Sequence, residues 1–205
     1  MKPHEIEQLS FQMIDSEAGN HGFSTDQWPV VRRVIHTSAD FEWPQMIRFH
    51  PQAISSGVSA IRNGCPIITD TNMARAGIRQ RDLARFGGTV NCYMTDERVA
   101  ETAARKGITR AKAAVDVAAP ALSGGIYVVG NAPTALLRLI ELMEQGTVRP
   151  ALVVGLPVGF VNAAESKALL LECDVPHITN VGRKGGSNVA AAVVNALIIK
   201  AGVDR

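Results

Sequence analysis

The sequence predicts a single-domain α/β protein over residues 1–205, in which a mainly parallel sheet lies between two layers of helices. First, several short runs are mainly apolar, as strands buried on both faces are. They cover residues 66–70, 89–93, 126–130, 151–155 and 175–179. Second, segments with helical spacing of apolar residues alternate with these runs; they cover residues 96–106, 110–119, 133–145, 163–173 and 187–201. This alternation is typical of a three-layer α/β/α fold.

Further elements precede the alternating region. A first helix is predicted over residues 3–17, and a glycine-containing break follows it. We place the start of the second helix near Asp26, the better N-cap candidate, because Pro29 then falls in the first turn, where no backbone donor is lost. A strand over residues 46–49 and a helix over residues 51–62 come next.

Composition excludes several classes of protein. The 21 basic and 19 acidic residues leave a net charge of +2, and aromatic residues make up only 5% of the chain, so nothing favours a nucleic-acid partner. The three cysteines lie far apart, which argues against a disulfide framework and a zinc site. No histidine stands at metal-ligand spacing from acids or cysteines. No apolar run approaches the ~20 residues of a membrane span, and no signal peptide is evident. We expect a soluble, cytoplasmic protein.

The second predicted helix carries the most informative group of side chains. Its apolar residues form one broad arc, and Arg32, Arg33 and His36 fall on the opposite side. An imidazole is the side chain whose unperturbed pKa lies nearest neutrality, so it can donate and accept a proton in one turnover. Guanidinium groups can hold carboxylates in bidentate pairs. The pattern indicates acid–base chemistry on a polyanion, and a solvated basic helix face is the simpler interpretation of the same spacing.

Polar and glycine residues follow the predicted strands, where open parallel sheets bind ligands. Thr69 and Asp70 end one strand, and Arg183, Lys184 and Ser187 belong to a glycine-rich segment before the last helix. Glycines let backbone amides converge, and a helix N-terminus attracts anions. The same segment can be read as a flexible turn, and Asp70 as an ordinary helix cap. No P-loop and no serine-nucleophile elbow is present, so these patterns alone predict an α/β enzyme or binder with an anionic ligand.

Several longer motifs carry a resemblance to a known family. They are I-E-x-x-S-F near the start, V-x-R-x-I-H-T-x-A-D, I-I-T-D-T-x-M-x-x-A-G-I, G-N-A-P-T-A-L, L-P-V-G-F-V-x-A-x-E-S-K and G-R-K-G-G-S. In these motifs the chain resembles the precorrin-8X methylmutase family of cobalamin biosynthesis. The resemblance implies an isomerase that moves a methyl group from ring carbon 11 to ring carbon 12 of precorrin-8X or cobalt-precorrin-8, giving hydrogenobyrinate or cobyrinate. It implies a homodimer and no diffusible cofactor.

The resemblance also implies roles for individual residues. His36 would be the proton donor and acceptor, and Ser10 and Arg33 would contact the tetrapyrrole substrate. Without the resemblance, Ser10 is only a small residue tolerated between apolar positions of the first helix. Corrin precursors carry many carboxylates, so the basic residues are candidate clamps for them: Arg32, Arg33, Arg110, Arg183 and Lys184. With Thr69, Asp70 and Ser187, they complete the predicted substrate-binding set.

Two other functions fit the same residues. A non-catalytic corrinoid carrier would use the same basic loops to hold the product. An α/β enzyme acting on a phosphorylated metabolite would use the glycine-rich segment before the last helix. The sequence leaves open whether the substrate already contains cobalt, because metal-free and cobalt-bearing routes use similar proteins.

Overall fold

The structure is a computed structural model that describes residues 2–203, and it contains one six-stranded sheet. The strand order is β1-β6-β5-β4-β2-β3, and only the edge strand β1 runs antiparallel to its neighbour. The prediction of a mainly parallel sheet is therefore confirmed. The strands are β1 Ile47–Phe49, β2 Ile67–Thr69, β3 Val90–Cys92, β4 Ile126–Val129, β5 Leu152–Gly155 and β6 His177–Asn180.

Helices cover both faces of the sheet. They are α1 Pro3–Ala18, α2 Trp28–Ser38, α3 Trp43–Met46, α4 Ala53–Arg62, α5 Asn72–Gly77, α6 Gln80–Leu83, α7 Glu97–Lys106, α8 Arg110–Leu122, α9 Pro133–Glu144, α10 Ala163–Leu171 and α11 Ser187–Val203. Alternate strand residues enter two separate cores: Ile67 and Ile126 pack with α2, α4 and α11, whereas Ile68 and Tyr127 pack with α8, α9 and α10. The three-layer prediction is thus confirmed. Within residues 2–203, no helix is long and apolar enough to cross a bilayer.

The predicted elements differ from the observed ones mainly at their ends. The second helix begins at Trp28 without a side-chain cap, so Asp26 is not its N-cap; this exposed residue pairs instead with Lys200 of the last helix. The short helices α3, α5 and α6 were not predicted, because four to six residues are too few to show a helical period.

The last helix α11 organises the face that carries His36. It is buried on nearly all sides and packs along α2, α4 and α5. The apolar arc predicted for α2 is confirmed, because Val30, Val31, Val34 and Ile35 are all buried. This packing fixes the rotation of α2 about its axis, so that its arginines and histidine are directed away from the core.

Candidate active site

The aromatic ring of Phe11 brings together the three side chains that the helical spacing predicted. The ring centroids of Phe11 and His36 lie 5.2 Å apart. The guanidinium carbons of Arg32 and Arg33 lie 4.4 and 5.2 Å from the Phe11 centroid, within the range of a cation–π contact. Phe11 follows Ser10 in α1, so α1 lies against the polar face of α2 and the predicted residues form one cluster.

His36 lies between two cavities. One, of about 310 Å³, is lined by Ser10 and His36 together with apolar residues of α1 and α2. The other, of about 190 Å³, is lined by Arg33, His36 and the outward face of α11, including Asn188 and Asn195. His36 itself is exposed. A ligand in either cavity therefore reaches the imidazole without any change in the fold.

Acidic residues of α1 neutralise the two arginines. Arg33 pairs with Glu7 at 3.1 Å, and Arg32 pairs with Asp15 at 2.8 Å. Both acids are about two-fifths exposed, and ion pairs with exposed partners contribute little to stability. The Nε atom of Arg32 is buried without a hydrogen-bond partner among the described residues. An anionic ligand can therefore compete with Glu7 and Asp15 for these arginines at a small energetic cost.

The crevice between β2 and β4 is filled by the protein itself. The order of strands reverses here, and open α/β sheets bind ligands at such a switch point. Asp70 follows β2 and is only 3% exposed. One carboxylate oxygen accepts from the Gly130 amide at 3.0 Å, and the other accepts from the Asn131 and Ala132 amides at 2.8 Å each. Burial raises the pKa of Asp70, and the amide hydrogen bonds oppose this shift.

Hydrogen bonds join the loops on either side of Asp70. Thr69 is buried and donates to the Thr71 carbonyl at 3.0 Å. The Thr71 hydroxyl bonds to that of Ser187, at the start of α11, at 2.8 Å. Arg110 is exposed at the start of α8, and its guanidinium donates to the Met94 carbonyl at 2.6 Å. Thr69, Asp70 and Ser187 therefore have internal partners, whereas Arg110 lies at the surface. Their contacts with substrate stay predictions.

The glycine-rich segment, residues 181–186, forms the loop between β6 and α11, which we call the glycine loop. Its Lys184 ammonium pairs with Asp40 at 2.6 Å and with Glu42 at 2.9 Å, just beyond the end of α2. Their hydrogen bond lowers the pKa of Asp40 and raises that of Lys184. Arg183 is exposed, and its guanidinium lies 5.6 Å from the Phe160 ring. The ion pairs join the loop to the helix that carries His36.

Comparisons with known proteins match this chain over nearly its whole length. The family model for precorrin-8X methylmutase matches residues 5–200. The cobalt-precorrin-8 methylmutase of Priestia megaterium is 48% identical over 98% of this chain and 89% of its own length. The precorrin-8X methylmutase of Pseudomonas aeruginosa is 38% identical over 94% and 93%. The solved structure titled as precorrin-8x methyl mutase from Thermus thermophilus superposes with a TM-score of 0.90 at 47% identity, covering 97% of this chain and 96% of its own.

This chain belongs to the precorrin-8X methylmutase family. A methylmutase is an isomerase that moves a methyl group within one molecule, so the predicted isomerase of cobalamin biosynthesis is confirmed. The residue roles that the resemblance implied are not tested by these comparisons.

The structure separates the predicted site residues of this methylmutase into three groups. One group surrounds His36 at the surface and consists of Ser10, Arg32, Arg33 and His36. The second is the glycine loop with Arg183 and Lys184. The third lies at the switch point or beside it and consists of Thr69, Asp70, Arg110 and Ser187. The first turn of α11 joins these groups, because Asn188 lines the cavity beside His36 and directly follows Ser187.

Several residues of the site lie outside the predicted set. Phe11 had a signal, because it stands beside Ser10 in the first motif. Lys167 had a signal too, because it stands at helical spacing (i, i+4, i+7) between the apolar residues Ala163 and Leu170. All three residues are buried on α10. A lysine at an apolar position of a helix indicates a special environment. Asn188 ends the polar stretch before the last helix, which was predicted to bind a ligand, but its place beside His36 could not be predicted. Asn195 had no signal, since only tertiary packing brings α11 against α2.

A third cavity lies at the opposite end of the strands. It measures about 430 Å³ and is lined by His50, Arg149 and Asp174, among others. Its Pro150 and Pro176 precede β5 and β6, so it faces the amino ends of these strands. None of the predicted site residues lines it.

Replacing Asp70 by asparagine is expected to destabilise the fold. The carboxamide oxygen can replace only one carboxylate oxygen, so its NH₂ group faces a backbone N–H. A buried unpaired donor costs about 1–3 kcal/mol, and urea unfolding should show a loss of this size for Asp70→Asn. Asp82→Asn, which alters a surface pair with Arg79, is the control. Equal stability of Asp70→Asn and wild type would contradict the anchoring role of Asp70.

Proposed function

We propose that this protein moves the methyl group on carbon 11 of precorrin-8X, or of its cobalt-bearing form, to carbon 12, with His36 as the proton donor and acceptor. The observation that carries the proposal is the cluster of His36, Arg33 and Ser10 around two open cavities. The names of the relatives support this substrate class, because they are cobalt-precorrin-8 or precorrin-8X methylmutases.

His36 serves the reaction by controlling the tautomer of the macrocycle. A methyl shift within the ring needs neither a nucleophile nor a metal ligand from the protein. It needs a proton placed on a ring nitrogen or carbon so that the π system accepts the migrating group, and the return of that proton afterwards. The exposed imidazole of His36 can carry out both transfers, and its contact with Phe11 holds the ring in place.

The basic residues serve the reaction by holding substrate carboxylates. Arg32 and Arg33 lie one turn before His36, so carboxylates bound there place the macrocycle against the imidazole. Lys184 is joined to the residues after α2 by its ion pairs, and Arg183 beside it is exposed. The macrocycle therefore binds outside the sheet edge, across α2 and the glycine loop, since Asp70 already occupies the switch point.

We further propose that two copies associate through their α1 helices and act in the cytoplasm. Ile6, Leu9 and Met13 are 52%, 45% and 64% exposed, and their spacing of three and four residues forms one apolar stripe along α1. Exposed apolar patches of this kind mark contact surfaces. The stripe adjoins Ser10, so a partner copy would border the cavity beside His36. Cell fractionation tests the location, because the protein should be found in the cytoplasmic fraction.

Replacing His36 by alanine is expected to reduce turnover and leave binding nearly intact. Loss of a general acid–base typically reduces kcat about 10²–10⁴-fold, and no carboxylate clamp is removed. The absorption change from substrate to corrin product is followed for both substrate forms, and the faster form identifies the physiological route. Unchanged kcat for His36→Ala would contradict the role of His36. If wild type bound the substrate but the absorption spectrum of the bound substrate never changed, the protein would be a carrier.

Replacing Arg33 by alanine is expected to raise KM much more than it lowers kcat. Losing one buried carboxylate clamp costs about 2–5 kcal/mol, mostly in affinity. Glu7→Gln is the matched control: it removes the internal partner of Arg33 and keeps the guanidinium, so its KM should not rise. If Arg33→Ala lowered kcat and kcat/KM by the same factor, Arg33 would act in the transition state instead.

Placing charges on the α1 stripe is expected to separate the two copies. In Ile6→Glu/Leu9→Glu, two acidic side chains would have to be buried in the contact. Sedimentation should therefore show a dimer for wild type and a monomer for the variant, with unchanged far-UV circular dichroism. A wild-type monomer, or a dimer that survives the double substitution, would contradict this interface.

A further inference from the structure

Among residues 2–203, Lys167 is a buried cation without an anionic partner. It lies on α10, its side chain is fully buried, and it makes no ion pair with the described residues. Its ammonium donates to the Lys184 carbonyl at 2.7 Å and to the Asn180 carboxamide oxygen at 3.1 Å. Burial lowers the pKa of Lys167 to about 8. Burying a charge without a counter-charge costs folding free energy, so this position calls for a functional explanation.

The two acceptors of Lys167 control the shape of the glycine loop. Asn180 ends β6, and its NH₂ group donates to the carbonyls of Val181 and Lys184 at 3.0 and 2.9 Å. The Lys184 carbonyl thus receives hydrogen bonds from both Lys167 and Asn180. The Gly186 amide donates to the Leu156 carbonyl at 3.0 Å, which closes the other end of the loop.

The loop held by Lys167 is also the one joined to the catalytic helix. The backbone of Lys184 accepts from Lys167, and its side chain reaches Asp40 and Glu42 beyond the end of α2. A displacement of this carbonyl therefore moves both the exposed Arg183 beside it and the ion pairs that follow His36. Lys167 is fully buried and acts on the site through these contacts.

We propose that Lys167 is a positioning residue for the methyl shift, which fixes the glycine loop and supplies a buried positive charge beneath the substrate carboxylates bound there. The inference rests on the proposed function, because it assigns the glycine loop to the carboxylates of the corrin precursor. In the protein interior, a charge acts over several ångströms with little screening. An anion on the loop therefore stabilises the ammonium form, and the ammonium in turn strengthens anion binding.

On the elements that pack against α10, other titratable groups have different partners. On β6, burial lowers the pKa of His177, and its ring bonds to the Val175 carbonyl at the amino end of the strand. On α9, Arg138 and Glu141 pair with each other and with α8. Asp40 and Glu42 hold Lys184. Above pH 7, the group expected to change charge beneath the glycine loop is therefore Lys167.

The test compares wild type with Lys167→Met, which keeps the length of the side chain and removes the amine. The dissociation constant for the corrin product, hydrogenobyrinate or cobyrinate, is measured from pH 7 to 10 by absorption. For wild type it should rise about tenfold, which corresponds to a one-unit difference in the pKa of Lys167 between free and bound protein. For Lys167→Met, the dissociation constant should already exceed the wild-type value at pH 7 and should not vary with pH. Hydrogen exchange of residues 181–186 should be faster in the variant.

Lys112→Met is the matched control. Lys112 is a half-buried lysine that pairs with Glu141 on the helical layer away from the glycine loop, and its loss should leave affinity and pH profile unchanged. If Lys167→Met binds product with the wild-type affinity and pH profile, the proposal is wrong. If the variant does not fold, the lysine amines of wild type are titrated by NMR: a rise in the pKa of Lys167 on product binding supports the proposal, and no change overturns it.

Failure of the proposed function would give a different result. If wild type binds no corrinoid, the proposed substrate is wrong. The predicted effect of the Lys167 charge on corrinoid binding is then wrong as well. Hydrogen exchange of the glycine loop still decides the positioning role in that case. Faster exchange confined to residues 181–186 in Lys167→Met supports it, and unchanged exchange contradicts it.

Discussion

The three hydrogen bonds from backbone amides to Asp70 hold the carboxyl edge of the sheet together. They place a carboxylate of the chain at the switch point between β2 and β4, where a ligand of an open α/β sheet would otherwise bind. Because this crevice is closed, the open polar surface lies farther out, on α2, the glycine loop and the first turn of α11. The position of the proposed catalytic cluster on an outer helix is consistent with this constraint.

Electrostatic balance in the site rests on replaceable partners. Arg33 and Arg32 are neutralised by half-exposed acids of α1, and Lys184 by Asp40 and Glu42. A substrate with many carboxylates can compete for such cations, since exposed pairs are weak. Lys167 differs, because its amine is fully buried and no carboxylate of the described chain meets it. The proposed site thus combines exchangeable surface cations with one buried cation beneath the glycine loop.

Sequence patterns predicted the parts of this structure that depend on local periodicity. Buried apolar strands and amphipathic helices gave the three layers, and helical spacing placed Arg32, Arg33 and His36 together. Asp70 shows the limit of such patterns: both a helix cap and a ligand contact fitted its position after a strand. Its actual partners are the backbone amides of residues 130–132, which follow strand β4 some sixty positions later in the chain. The positions of Asn188 and Asn195 beside His36 could not be predicted for the same reason, since only the packing of α11 on α2 brings them there.

The most direct test of this account is a crystal structure of the protein with its corrin product. We predict that the macrocycle lies on the outer face of α2, with a ring nitrogen of His36 within hydrogen-bond distance of it. The carboxylates of the product should contact Arg33 and the glycine loop. A product bound in the cavity of His50, Arg149 and Asp174, or anywhere out of reach of His36, would contradict it.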